Sequence, residues 1–200
     1  MPRLRLSQIN FPPEKPCMQW LKIAILENAM ASKSPAGYSG TQILLHWIIA
    51  ALVLFQVFFG EGMEHAYHAS IKGKELSPDN LLSANIHAVV GFTILALAVL
   101  RVIIRMVRGV PDAPASQSGV KLWIAALTQV FLYAILFVMP ITGAMAWFLG
   151  YATMAEVHAF AKPLIILAVL VHFGGALMQH YVAKTDVLVR MMKPETRRAA

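Results

Sequence analysis

The chain has a single cysteine, Cys17, among its 200 residues. One cysteine cannot close a disulfide within the chain. It also excludes a cysteine-ligated zinc or iron–sulfur site held by one chain, and the CxxCH motif of covalent cofactor attachment. Any cofactor held by this chain alone must therefore be bound by other side chains, and histidine and the carboxylates remain as candidates.

Charged residues are also scarce, at 14% of the chain, whereas hydrophobic residues make up 58%. Soluble domains are about 45–50% apolar, so this composition indicates a membrane protein. About 20 helical residues cross the hydrocarbon core of a bilayer, and the spans must be helical because lipid offers the backbone no hydrogen bonds. The predicted fold is all-α, an integral membrane four-helix bundle with spans at about 41–60, 81–104, 122–150 and 157–183.

Lysine and arginine are distributed unevenly around these spans. With a cytoplasmic N-terminus, 14 of the 17 basic residues lie on the cytoplasmic side, and only Lys72, Lys74 and Lys162 lie on the other. Since cytoplasmic loops of membrane proteins are enriched in basic residues, we predict that both chain ends are cytoplasmic. This topology explains the net charge of +7, so no binding to nucleic acid is expected.

Residues 1–37 are polar and lack the apolar core of a signal peptide, so we expect a cytoplasmic tail. Alternatively, translation begins at Met30; a peptide containing Cys17 in the purified protein would contradict that start. Residues 38–194 form the predicted transmembrane domain, and 195–200 form a C-terminal tail.

Four histidines fall within the spans, where an ionisable side chain is costly and needs an explanation. His46 lies near the inner end of the first span, and His87 lies near the outer end of the second, which runs in the opposite direction. On the fourth span, His158 is near the outer end and His172 follows 14 residues later, which is about 21 Å deeper and within about 40° of the same helix face. His46 and His172 therefore share one level, and His87 and His158 share the other.

Two facing imidazoles at one level can hold a haem iron from both sides in a helix bundle, so the pattern predicts two haems. Taken singly, each membrane histidine is explained equally by a hydrogen-bonding role or a proton relay. A metal-transport pathway is disfavoured because the spans lack Cys, Asp and Glu. Nearby glycines suit either a flat macrocycle or close helix packing: Gly91, Gly143, Gly174 and Gly175.

Three basic side chains are candidates for binding haem propionates. Arg101 and Arg105 lie one turn apart at the inner end of the second span, and Lys162 follows His158 by one turn. Guanidinium and ammonium groups form strong charge-assisted hydrogen bonds to carboxylates, so the arginines suit the inner haem and Lys162 the outer one. Snorkelling to the membrane surface, or a role in topology, explains the same residues equally well.

His180 lies eight residues after His172, at the predicted cytoplasmic interface. It is a candidate contact for a haem propionate or a quinone. Alternatively, it replaces His172 as the inner ligand, or it lies among the lipid headgroups with Tyr181. His65 and His68 fall in the predicted outer loop, where solvated histidines are expected.

Several motifs occur in order along the chain: LLHWIIA, NIHAVVG, LRVIIRMVRG, MPITGAMAW, EVHAFA and LVHFGGALMQHYVAKTDVLVRMMKP. Together they resemble the bacterial cytochrome b561 family, which is related to the cytochrome b subunits of nickel–iron hydrogenases. The resemblance covers about 38–194. It implies a multi-pass protein of the bacterial inner membrane with two b-type haems, the inner one on His46 and His172 and the outer one on His87 and His158. One departure is Gln179, where a well-known member has a second histidine before His180, and this puts a quinone role for that position in doubt.

Two axial imidazoles leave no open position on iron, so such a centre transfers single electrons. We expect a dihaem electron carrier between a periplasmic donor or acceptor and the membrane quinone pool. The resemblance also implies an enzymatic alternative, a superoxide oxidase delivering electrons to ubiquinone, although the acidic outer loop argues against attracting an anion. A membrane cytochrome b subunit of a hydrogenase or another periplasmic redox enzyme is a further alternative. A haem-free transporter is the last alternative.

Overall fold

Helices account for all the regular structure in the described part of the chain, which comprises residue 35 and residues 37–114 and 119–195 of a computed structural model. In chain order they are α1 (Gly40–Phe59), α2 (Glu61–Ile71), α3 (Pro78–Arg108), α4 (Val120–Leu149), α5 (Ala152–Tyr181) and α6 (Val187–Arg190). Four of them, α1, α3, α4 and α5, are long and apolar enough to cross a membrane. The predicted all-α fold with four membrane spans is therefore confirmed. The predicted N-terminal tail, the alternative start at Met30 and residues 196–200 lie outside the described residues, except for positions 35 and 37.

The helix boundaries depend on caps as well as on the apolar runs. At the start of α1, the Ser39 hydroxyl accepts a hydrogen bond from the backbone N–H of Gln42, whose side chain accepts one from the Ser39 N–H. The helix α3 begins at Pro78, ahead of the apolar run, because the Ser77 side chain caps it and proline suits the first position. Only Gly150 and Tyr151 separate α4 from α5, with Gly150 at a φ of 69° that favours glycine.

The segment after α1 is a helix rather than the loop expected between the first two spans. This helix, α2, packs along the beginning of α3, and Ala66 is completely buried there. The apolar content of residues 61–71 is too low to predict a helix, so its position on α3 explains its order.

Alanine supplies half of the buried apolar side chains on the long helices in the described part of the chain, and leucine and isoleucine supply the other half. Five alanines are buried, whereas most large apolar side chains are exposed on the outside of the bundle. Small residues let helix backbones approach closely in a membrane, where lipid covers the outward-facing leucines and phenylalanines. The buried alanines are Ala84, Ala98, Ala146, Ala161 and Ala168, with Ala66 on α2 in addition.

The segment after α5 is hydrogen-bonded across the end of the bundle where α1 begins, which is the predicted inner end. The Trp47 indole donates to the carbonyl of Met191 at 2.9 Å, and Arg190 donates to the carbonyl of Asp112 at 3.0 Å. Farther along, the backbone N–H of Glu195 donates to the backbone carbonyl of Tyr38 at 3.0 Å. The residue that follows His46 is thus bonded to the C-terminal segment.

Candidate functional site

The structure brings together the two histidine pairs that share predicted levels. The ring centres of His46 on α1 and His172 on α5 are 6.1 Å apart, with their planes at 61°. Nearer the other end of the bundle, the ring centres of His87 on α3 and His158 on α5 are also 6.1 Å apart, with their planes at 69°.

This separation fits one iron between two imidazoles. A bond of about 2 Å from each imidazole nitrogen to a metal, plus about 1 Å from each nitrogen to its ring centre, separates the two ring centres by about 6 Å. The described residues contain no cluster of three or more His, Cys, Asp or Glu side chains suited to a metal ion. Since a pair supplies only two ligands, the donor set suits an iron whose other four positions are filled by a macrocycle.

The hydrogen bonds of His158 set which of its ring nitrogens is free. Its Nδ1 lies 2.9 Å from the carbonyl oxygen of Met139 and 3.3 Å from the hydroxyl of Thr142. A carbonyl can only accept, so Nδ1 donates its proton to Met139, and Nε2 keeps the lone pair that a metal ligand needs. A hydrogen bond from one ring nitrogen to a backbone carbonyl is the usual arrangement for metal-binding histidines. The sequence did not predict the contacts of Met139 and Thr142 with His158. Every residue offers a carbonyl, so nothing in the sequence marks Met139.

Gly143 allows the His158 ring to lie against α4. A Cβ atom at this position would be 3.0 Å from Cε1 and 3.1 Å from Nδ1 of His158, which is tighter than most real Cβ contacts and would require the ring to shift. At Gly174 and Gly175 an added Cβ meets nothing within 4 Å, and at Gly91 it meets Gln56 at 3.5 Å. Gly143 thus makes room for the imidazole, while open space remains beside Gly174 and Gly175.

The two arginines predicted to bind propionates hydrogen-bond across the bundle. Arg101 donates to the hydroxyl of Tyr133 at 3.2 Å and to the carbonyl of Gln42 at 3.0 Å. Arg105 lies 3.4 Å from the side-chain oxygen of Gln129, and its guanidinium carbon is 5.8 Å from the centre of the Tyr133 ring. Neither arginine forms a salt bridge with a carboxylate of the described residues.

Arg101 is close enough to both His46 and His172 for its charge to act on them. A half-buried guanidinium that lacks a carboxylate partner within the described chain and lies beside an imidazole pair suits an anionic group of a cofactor. This arrangement fits a propionate, although the assignment stays a prediction.

The remaining predicted residues lie near the site without forming a further pair. Lys162 is exposed, and its charge acts on His87. The half-buried ring of His180 contacts Tyr181, with centres 4.8 Å apart, and no other described histidine ring stacks with it. Its buried Nδ1 has no hydrogen-bond partner among the described residues. The role of His180 stays a prediction.

The comparisons with known proteins identify the family. The model of the prokaryotic cytochrome b561 family matches residues 37–194. This chain belongs to the prokaryotic cytochrome b561 family. It is also 41% identical over 158 residues to a protein named cytochrome b562 from Cereibacter sphaeroides, a match that covers 79% of this chain and 96% of that relative.

Membership of the cytochrome b561 family states the general character of the protein. It is a membrane cytochrome of electron transport, its cofactor is b-type haem, and its four apolar helices make it a multi-pass protein of the bacterial inner membrane. The resemblance that the sequence motifs indicated is thereby confirmed. The number of haems, their ligands and the redox partners are the finer questions.

Proposed function

We propose that this cytochrome binds two b-type haems, one between His46 and His172 and one between His87 and His158. It passes single electrons between a periplasmic partner and quinone in the membrane. The observation that supports this most is the equal separation of 6.1 Å between ring centres in two histidine pairs of one bundle. Because the two histidines of α5 are 14 residues apart, the pairs are about 21 Å apart along that helix, which distributes them along the membrane normal.

The residues of this chain hold and orient the cofactors. When bound, haem supplies one-electron oxidation and reduction of its iron. The Met139 carbonyl holds the Nδ1 proton of His158, so that Nε2 faces away from α4 as the ligand atom. Arg101 brings positive charge to the inner pair, and Lys162 brings it to the outer pair. With an imidazole of each pair on either side of a haem, the residues of this chain would leave small molecules no position on the iron.

Replacing Arg101 with leucine is expected to lower the midpoint potential of the inner haem. The reduced centre carries one positive charge fewer than the oxidised centre, so a nearby guanidinium stabilises the reduced form, and its removal favours the oxidised one. A spectroscopic redox titration in detergent measures the change.

The matched control is Arg108→Leu, seven residues along the same helix, where the side chain is exposed. It is expected to leave both potentials near their original values because water and salt screen an exposed charge. Equal shifts in both variants would show that Arg101 has no specific effect on the inner haem.

A quinol experiment tests the proposed membrane partner. Oxidised protein mixed with a short-chain quinol is expected to develop the absorption bands of reduced b-type haem. If dithionite reduces the haem but quinol does not, quinone is not a partner of this protein. The haem assignment is unaffected by that result.

Superoxide oxidation is a second candidate, and one observation favours it: Lys162 is exposed on α5, one helical turn after His158, at the predicted outer face. A local positive charge attracts an anion. If this candidate is correct, Lys162→Glu should slow the decay of superoxide in stopped-flow mixing at low salt, whereas Lys72→Glu on the outer segment should have a smaller effect. Decay no faster than with haem-free protein would exclude the activity.

A further inference from the structure

A glutamine of α1 is hydrogen-bonded to the backbone of one predicted ligand. The Gln56 side-chain amide donates to the carbonyl oxygen of His87 at 2.8 Å. In a regular helix that carbonyl also accepts from the backbone N–H four residues later, at Gly91. Gln56 therefore occupies the second lone pair of a carbonyl within the helical turn that carries His87, and it connects α1 to α3 at that level.

The two histidines of the outer pair differ in what orients their rings. His158 is oriented through its ring nitrogen, which donates to Met139. The Nδ1 atom of His87 is buried and has no hydrogen-bond partner among the described residues. The hydrogen bond from the Gln56 side chain to the His87 carbonyl is the only one that a side chain makes to His87 in the described part of the chain. The position of this imidazole thus depends on where its backbone is held.

The contact between Gln56 and His87 lies beside a cavity. Gln56 and His87 line the same cavity of about 260 Å³, together with Phe55, Phe59 and Ser83. Gly60, at the end of α1, lies close to the His87 ring, since a Cβ there would be in ordinary van der Waals contact with it at 3.6 Å. The ring therefore faces open space and a glycine on the α1 side, and the amide of Gln56 is the polar contact that crosses between the helices.

We propose that Gln56 is a positioning residue for the outer haem: it holds the turn of α3 that carries His87, and so sets the angle and strength with which this imidazole binds iron. The inference rests on the proposed two-haem function. Residues that support a metal ligand from outside affect metal affinity by about 10–100-fold when they are removed.

The test is Gln56→Met, which keeps an unbranched side chain of similar length and removes the amide donor. We expect haem to transfer from the outer site to apomyoglobin about tenfold faster than in the wild type. We also expect the low-spin ferric EPR signal and the midpoint potential of that haem to change, because both depend on the orientation of the axial imidazoles. His158→Ala identifies the outer haem, since it removes the other ligand.

The matched control is Gln42→Met on the same helix, 14 residues earlier. The Gln42 amide also donates to a carbonyl at the end of α3, that of its C-cap residue Gly109 at 3.0 Å, at the opposite end of the bundle. This variant is expected to leave the transfer rate and the EPR signal of the outer haem unchanged. If both variants change the outer haem equally, the effect is a general loosening of α1 against α3, and the proposal is wrong.

The outcomes separate the inference from the function on which it rests. A wild-type protein with fewer than two haems contradicts the proposed function, and the inference with it. Two haems in the wild type, with the same outer-haem EPR signal and transfer rate in Gln56→Met, contradict the inference alone. If Gln56→Met fails to assemble, Gln56→Asn replaces it, since its amide is one methylene shorter and is expected to weaken the outer site in the same way.

Discussion

The His172→Ala variant is expected to lose the inner haem and to keep the outer one, so that the pyridine haemochrome count falls from two haems per chain to one. Alanine removes one of the two imidazoles of the inner pair and leaves His46 without a partner at 6.1 Å. The outer pair is about 21 Å away along α5, so its ligands are unaffected. Reduced-minus-oxidised absorption spectra of the same samples should retain one b-type band, and His158→Ala should remove the other.

His180→Ala is the control for this experiment, because His180 was the alternative inner ligand. Its ring contacts Tyr181 rather than a second histidine in the described structure, so we expect the variant to retain both haems. The opposite result, a haem lost in His180→Ala and kept in His172→Ala, would transfer the inner ligand to His180. A wild-type protein without haem would contradict the two-haem proposal as a whole.

The sequence was sufficient to predict the spans and the levels of the histidines. Span length depends on how many apolar residues follow one another, and depth depends on a constant rise per residue. Both can be counted along a single chain. The meeting of His46 with His172 needs two antiparallel helices, and that of His87 with His158 needs two helices that run in the same direction. Spans that alternate in direction supply both, and the two histidines of the fourth span share one helix face.

The contacts around the histidines could not be predicted in the same way. The partner of His158 is the carbonyl of Met139, and that of Gln56 is the carbonyl of His87. Every residue offers a carbonyl, so the sequence does not mark these positions. Side-chain direction across neighbouring helices decides them, and it depends on helix rotation that the apolar pattern of a membrane span leaves undetermined.

The arginines illustrate the same limit. Their position at the inner end of the second span predicted either snorkelling or pairing with a propionate. In the structure, Arg101 and Arg105 lie against Tyr133 of α4, and Arg101 also bonds the carbonyl of Gln42 on α1. Bonds to neutral groups leave their charge uncompensated by any carboxylate of the described residues, so this arrangement is compatible with a propionate as a further partner.

The sequence did not predict the short helix α2, and the reason is a different one. Only about half of its residues are apolar, and an isolated helix of this length is marginal in water. Its order comes from packing against α3, with Ala66 completely buried in the contact. Tertiary contacts therefore decide the structure of this segment.

Gly143→Val is expected to cause the second large effect, the loss of the outer haem. Even the Cβ of alanine would lie 3.0 Å from Cε1 of His158, and the ring cannot easily move away because its Nδ1 is hydrogen-bonded to Met139 at 2.9 Å. Valine adds two methyl groups to this contact, so the hydrogen bond must break or the ring must turn. Either change misplaces the ligand atom. The haem count should fall from two to one, while Gly143→Ala should retain two haems and release the outer one about tenfold faster.

Gly91→Ala provides the comparison, because it also changes a glycine within a long helix near a predicted ligand. Its Cβ would lie 3.5 Å from the Gln56 amide nitrogen, which is an ordinary van der Waals distance, so both haems should remain with little change in potential. If Gly143→Val keeps both haems with wild-type potentials, the close approach of His158 to α4 is not needed for haem binding. If it loses the inner haem instead, the assignment of His158 to the outer site is wrong. Loss of the outer haem alone would connect one glycine on α4, a helix without histidines, to the chemistry of a ligand on α5.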